Sequence, residues 1–341
     1  MILVTGGTGL VGSWLLFQLT QKHDKVRAIK RQTSSMLTIN EIFQTQCKDP
    51  QHLLDKIEWL DGDVLNLPAL ENAMEGVSQI YHCAATVSFL PADREHMMRI
   101  NVEGTANMVN LALHHKIAKF CFVSSVAAIG RSANQTHFTE DADWTPSKEN
   151  SWYAKSKFEA EQEVWRGIEE GLKAVIVNPS IILGYGSPGQ GSAKLFEEVW
   201  EGLKFFTSGV NGFVDVRDVA DIMIKLMESP IRNQRFIVCS ENISYKTLFE
   251  LIASSLGVKA PLIHAKPWMG ELYWRIEAAK FFISKRKPTV TRETARTASK
   301  QHLYSNEKIK EAINYKFISI IDTIGFHAKI FLKNWHQKSK S

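Results

Sequence analysis

Short runs of aliphatic and β-branched residues alternate with stretches of helical periodicity through the first half of the chain. Ile2-Leu3-Val4-Thr5 reads as a strand and Leu10 to Gln21 as a helix. Further strands read at Lys25–Lys30, Ile57–Leu60, Gln79–His82, Lys119–Ser124 and Ala174–Asn178, with long helices at Asp93–His115 and Trp152–Glu170. Strands separated by helices make βαβ units, so the pattern predicts an α/β fold: a parallel sheet with helices on both faces and right-handed crossovers. Ligands of such sheets bind beyond the C-terminal strand ends, near the point where strand order reverses. That rule directs attention to Gly6, Arg31, Asp63, Cys83 and Ser125, each of which follows a predicted strand.

After Asn178 the rhythm changes. A Gly/Pro/Ser-rich stretch from Gly184 to Ser192 reads as a loop. The division expected is a dinucleotide-binding domain over 1–183, with 213–240 returning to it. A smaller C-terminal α/β substrate lobe is expected over 184–212 and 241–335, with a frayed tail at 336–341. The chain has 341 residues, room for one large α/β domain with an appended lobe. Its four cysteines lack any CxxC spacing. A disulfide framework or zinc site is therefore not expected, and a reducing, cytoplasmic setting is. No apolar run is long enough for a membrane span, and the N-terminus lacks the features of a secretory signal. The net charge of +5 is uneven: residues 284–341 carry 13 Lys/Arg against 4 Asp/Glu, so the rest is acidic. No nucleic-acid motif accompanies that basic segment, and it is read as a solvated face.

Thr5-Gly6-Gly7-Thr8-Gly9-Leu10-Val11-Gly12 lies between the first strand and the first helix and satisfies GxGxxG. One such glycine permits a tight turn, one admits a pyrophosphate to the backbone, and one allows close helix–strand packing. The helix N-terminus adds free N–H groups and a partial positive charge. Gly6, Thr8, Gly9, Leu10, Val11 and Gly12 are therefore candidate dinucleotide contacts. The second strand ends in Lys30-Arg31, with Thr33 and Ser34 nearby, where an acidic residue would favour the ribose hydroxyl of NAD. A guanidinium suits a 2′-phosphate, so NADP(H) is preferred and NAD(H) is the alternative.

Tyr153 and Lys157 stand four apart in a predicted helix and so share one face. A phenol with pKa near 10 is a poor acid–base group at neutral pH. A neighbouring ammonium is expected to acidify it, making Tyr153 a proton donor to a carbonyl that receives hydride. Val123-Ser124-Ser125 ends the fifth strand, and a hydroxyl there can hydrogen-bond the substrate oxygen as charge develops.

Taken together these motifs resemble the extended branch of the short-chain dehydrogenase/reductase superfamily. TGGTGLVG at 5–12 is joined by Gly62-Asp63-Val64, His82-Cys83-Ala84-Ala85, Asn101-Val102-Glu103-Gly104-Thr105 and Asn178-Pro179-Ser180, in the family's order. The resemblance implies a Rossmann-type doubly wound sheet and a triad of Ser125, Tyr153 and Lys157. Ser125 is preferred to Ser124 because it precedes Gly130 by five residues. It further implies that Asp63 and Val64 face the adenine, that Cys83, Ala84 and Ala85 line the cofactor, and that Asn101 supports the active-site network. Lys157 would contact the nicotinamide ribose, with Pro179 and Ser180 near the nicotinamide. Within the branch the features look most like dihydroflavonol reductases and related NADP-linked carbonyl reductases.

The function expected is hydride transfer between NADP(H) and the carbonyl or secondary alcohol of a small, rather apolar molecule. The alternative is a nucleotide-sugar epimerase holding NAD tightly. A 4,6-dehydratase fits less well, because Val126-Ala127 follows Ser125 in place of an acidic pair. A non-catalytic NADP sensor would not need a complete triad. His82 and Cys83 are read as packing residues rather than as a catalytic base and a nucleophile. The aromatic segment 268–283 is read as a pocket lid in preference to an interfacial membrane helix. No metal and no nucleic-acid partner are expected, and the chain is expected to be a monomer or homodimer.

Overall fold

The computed structural model describes residues 1–130, 135–147, 150–186, 189, 191–266, 268–271, 274–275 and 298–338. Seven parallel strands form its central sheet: β1 (Ile2–Thr5), β2 (Val26–Lys30), β3 (Ile57–Asp61), β4 (Gln79–His82), β5 (Lys119–Val123), β7 (Ala174–Pro179) and β11 (Gln234–Val238). The spatial order is β11-β7-β5-β4-β1-β2-β3. All residues of β1 and β7 are buried, as expected of strands covered on both faces. Helices α1 (Leu10–Lys22), α2 (Leu37–Gln46) and α9 (Val216–Glu228) cover one face around Trp14, Leu15, Phe43 and Met223. Helices α4 (Leu67–Met74), α6 (Gly104–His114) and α7 (Trp152–Glu169) cover the other around Leu70, Met108, Phe120 and Val164. This is the doubly wound arrangement expected. Its strand order reverses at β1, which pairs with β2 on one side and β4 on the other.

Part of the stretch after 212 rejoins this body. β11 pairs with β7 at the sheet edge, and α9 packs beside α1. β10 (Val210–Asp215) instead lies between β8 (Ile181–Leu183) and β12 (Glu241–Ser244) in a separate three-stranded sheet. That small sheet joins α8 (Ala193–Trp200), α10 (Tyr245–Leu256) and the C-terminal helix α12 (Ile320–Lys338) around Phe196, Phe213, Ile252 and Phe331. A two-stranded pairing of β6 (His137–Phe138) with β14 (Leu303–Tyr304) ties the chain's last third to the loop after β5. Most of the aromatic segment 268–283 and the basic Lys285-Arg286-Lys287 lie outside the described residues.

The helix expected over 93–115 runs unbroken from Arg94 to His114, but not as uniform α-helix. α5 (Arg94–Met98) passes through a π-helical turn at Arg99–Glu103 before α6 begins. The wide turn carries Asn101, whose carboxamide is held by three hydrogen bonds with two residues. Thr86 N–H donates to its Oδ1 at 2.7 Å, while its Nδ2 donates to Thr86 O (3.0 Å) and Ser156 Oγ (2.9 Å). π-turns inside helices often mark functional positions, and periodicity alone does not reveal them.

Candidate active site

The glycine loop sits at the reversal of strand order. Gly6 has φ +71°, and a Cβ there would meet Ala84 N and Cys83 C at 2.7 Å. A Cβ on Gly12 would lie 2.2 Å from Gly6 O, so only glycine lets α1 start this close to the turn. Gly9 is the exposed helix cap and donates to Gly6 O at 3.0 Å. The first turn of α1, Leu10 to Gly12, lacks acidic residues, so its amides offer an uncompensated positive end. Thr8 is half-buried at the same turn, and Ser13 Oγ braces it through Gly7 O at 3.0 Å. A cradle that a single Cβ would fill, closed by a helix N-terminus, fits a dinucleotide pyrophosphate.

Around the rim the predicted positions have unequal partners. Lys30 Nζ donates to Asp61 at 3.2 Å. The Arg31 guanidinium is exposed and has no partner among the described residues, while its backbone N–H donates to Ser34 Oγ (3.1 Å). Asp63 Oδ1 accepts from Leu65 N–H at 2.9 Å. Val64 is buried against Gly104, where a Cβ would come within 2.5 Å of Val64 Cγ2. Cys83 N–H and Ala84 N–H donate to Thr5 O and Thr5 Oγ1, both at 3.2 Å, which sets the strand ends side by side. Ala85 is exposed just beyond.

His82 is fully buried between Thr5 Oγ1 (2.7 Å) and Thr105 Oγ1 (3.1 Å). Burial, with the nearby Lys157 charge, drives its pKa down to about 3, so the ring is neutral. Thr105 gives its proton to Asn101 O at 2.6 Å, so its oxygen is the acceptor for a proton on His82 Nε2. Burial pushes the Cys83 thiol up to about 12, which makes it a poor nucleophile. Both side chains act as packing groups at a strand end.

Ser125 follows β5 in extended backbone, caps a short 3-10 turn through Ala127 N–H (3.1 Å), and its hydroxyl is close enough to the Tyr153 phenol to pull its pKa down. The Tyr153 ring meets Phe89 edge-on with centroids 5.9 Å apart. One turn along α7, Lys157 is buried, donates to Val123 O at 2.7 Å and lies over the Phe122 ring at 4.5 Å. Lys157 does not offset the burial of the Tyr153 phenol in this arrangement. The ammonium is turned to a carbonyl, and burial raises the phenol above its ordinary value against the opposing pull of Ser125. Burial also lowers Lys157 to about 8, with Glu161 opposing.

The ends of β7 and β8 complete the floor. Asn178 Nδ2 donates to Ser125 O (3.1 Å) and to Glu161 Oε2 (2.8 Å). Pro179 is buried in β7 opposite Val238. Ser180 turns its hydroxyl to Val238 O at 3.3 Å, into the seam between strands.

Glu161 is a position that motif reading passed over. It is 1% exposed and accepts four bonds: from Ser124 Oγ (2.6 Å), Asn178 Nδ2, Trp165 Nε1 (3.3 Å) and Arg235 Nη1 (3.2 Å). A signal existed in the sequence: Lys157, Glu161, Val164 and Ile168 form one helical stripe, and a carboxylate on a buried stripe demands partners. Arg94 and Trp152, beside Phe89, were likewise not singled out.

A dinucleotide cradle and a Ser–Tyr–Lys cluster at the C-terminal strand ends define an NAD(P)-dependent, oxidoreductase-type enzyme on a Rossmann-type sheet. The chain belongs to the NAD dependent epimerase/dehydratase family, whose pattern matches residues 2–239. It is 28% identical to a putative dihydroflavonol 4-reductase of Synechocystis sp., over 93% of this chain and 90% of that one. It is 27% identical to sterol demethylase protein B of Methylococcus capsulatus, over 78% and 77% of the two chains. Among solved structures, the crystal structure of gox2253 superposes with a TM-score of 0.78 at 29% identity, covering 98% of each chain. Among the described residues no helix is long and apolar enough to cross a membrane.

Proposed function

We propose that this protein is an NADP(H)-dependent reductase that interconverts a carbonyl and a secondary alcohol on a small, rather apolar molecule. The amides of Gly9 to Gly12 would hold the pyrophosphate and Asp63 and Val64 the adenine. Arg31 would hold the 2′-phosphate, and Lys157 the nicotinamide ribose. When bound, the dinucleotide supplies or accepts the hydride. The chain's part is to place a proton. Tyr153 Oη holds it, and its raised pKa keeps the phenol protonated at neutral pH. Ser125 Oγ, beside that phenol, would share the substrate oxygen and steady its developing charge. The lowered pKa of Lys157 leaves its proton easily exchanged near pH 8.

The observation that carries the reductase reading over the epimerase one is Arg31. An unpartnered guanidinium at the end of β2 suits a phosphorylated, exchangeable cosubstrate, whereas an epimerase returns its hydride to the same substrate. The test is consumption of NADPH and NADH against aldehydes, ketones, and sterol- or flavonoid-like carbonyls. Preferential NADPH oxidation supports the reading. Release of stoichiometric NAD on denaturation, with no net oxidation by any carbonyl, supports the epimerase instead.

A further inference from the structure

The loop after β4 and the first turn of α7 border a shallow recess open to solvent, lined by Ser88, Phe89, Leu90, Pro91, Arg94 and Trp152. It adjoins the proton donor: the Phe89 ring packs edge-on against Tyr153, and Trp152 is the residue before Tyr153. Arg94 Cζ lies 3.8 Å from the Trp152 ring centroid. Arg94 Nε is buried and has no hydrogen-bond partner. Nor does any carboxylate among the described residues pair with this guanidinium. Asp93 accepts from Ser88 Oγ at 2.7 Å, Glu103 pairs with Arg99, and Glu159 with Lys155.

A buried donor left without an acceptor costs about 1–3 kcal/mol, so an arginine in this state calls for an explanation. Stacking on an indole orients the guanidinium plane and leaves its in-plane N–H fork free. A planar carboxylate matches that fork with two parallel bonds. Phe89, Leu90 and Pro91 provide an apolar wall for the stem that carries it. We propose that this recess is a substrate subsite for the carboxylate of an apolar or aromatic oxo-acid (or the corresponding hydroxy-acid). Arg94 is its anion anchor and Trp152 the platform, and the carbonyl is presented to Tyr153. The proposal rests on the reductase reading for the role of Tyr153, but its binding test does not.

The experiment measures dissociation constants of 4-formylbenzoate and its neutral match, 4-formylbenzamide, for the full chain in excess NADP+, by tryptophan fluorescence or calorimetry. The wild type should bind the carboxylate at least tenfold more tightly than the amide. Arg94→Gln should bring the two within twofold while leaving the amide constant and the melting temperature unchanged. On the wild type alone, raising KCl from 50 to 500 mM should weaken the carboxylate and spare the amide, a result that needs no variant to fold. Equal binding of both probes by the wild type, or an undiminished preference in Arg94→Gln, overturns the subsite. Turnover is read separately. If NADPH is not consumed with either aldehyde, the reductase reading is what fails, and the carboxylate-against-amide contrast still decides the subsite.

Discussion

Two arginines flank helix α7, and their surroundings differ completely. Arg235 reaches beneath the cluster and is saturated, donating to Glu161, to Glu140 O through both Nε and Nη2, and to Ala142 O. Arg94, on the side of the recess, has an indole under it and no acceptor. The Arg235 side chain is mostly covered and Arg94 Nε is buried, so at those atoms the difference is one of partners. A buried charge with a full set of protein partners holds a shape, while one whose partners are missing is prepared for a ligand. Arg31 and Lys30 repeat the contrast at the other end of the cleft, where Asp61 occupies Lys30 and Arg31 stands free among the described residues.

Tyr153 lies between the saturated floor and the unsaturated rim, and its removal gives the largest effect. Tyr153→Phe keeps the ring against Phe89 and deletes only the proton. Carbonyl reduction should fall about 10²–10⁴-fold with the NADPH dissociation constant unchanged. Turnover within threefold of the wild type would remove the phenol from the chemistry. Next comes the floor. Glu161→Ala strands Arg235, Ser124 and Asn178, and breaking a buried ion pair from one side costs about 3–5 kcal/mol. Denaturant unfolding should show that loss, while Glu161→Gln, which keeps an oxygen for two of the donors, should lose less. A Glu161→Ala protein as stable as the wild type would mean that the saturated network does not set the shape. Arg31→Ala makes the opposite trade. Its melting temperature should not move, whereas the Michaelis constant for NADPH should rise about tenfold or more, as expected for loss of a charge-assisted bond, with that for NADH unaffected.

The same contrast explains what the sequence made legible. Gly6, Gly12, Tyr153 and Lys157 serve local geometry, a turn or a single helix face, so spacing alone locates them. The alternation of β1 to β7 with helices likewise foretells the doubly wound sheet. Partnership across long sequence separations was not legible. Glu161 meets Arg235 from 74 residues away, and Lys157 is claimed by Val123 O from 34. That second contact, a carbonyl held by the Lys157 ammonium, is invisible to an i, i+4 spacing. The π-turn at Asn101 was hidden because apolar periodicity continues on either side of it. β10 carries buried residues like a central strand, yet its neighbours are β8 and β12.

Two buried aspartates at the start of α9 sharpen the lesson with the smallest expected effect. Burial pushes both carboxyls up, but Asp215 accepts from Arg217 N–H (2.7 Å), Nε (3.0 Å) and Nη2 (2.6 Å), with the His327 ring 3.7 Å away, and ends well below its ordinary value. Three residues on, Asp218 has Tyr315 Oη (2.9 Å) and Ile318 N–H (3.0 Å) as partners. Those two neutral donors and the more distant Arg217 do not offset burial and the Asp215 charge, so Asp218 rises to about 7. The folded carboxyl therefore keeps its proton up to about pH 7, whereas an unfolded one releases it near 4. The folded state binds more protons across that window, and this group's contribution to stability declines as pH rises through it. Asp218→Asn removes the titration and keeps the shape. The difference in melting temperature, wild type minus Asp218→Asn, should shrink between pH 5 and pH 8 by a few degrees, at about 2–4 °C per kcal/mol for a domain of this class. A difference constant across that range would mean that Tyr315 and Ile318 hold the charged carboxylate as well as an arginine does, and the distinction between charged and neutral partners would fail where it is easiest to measure.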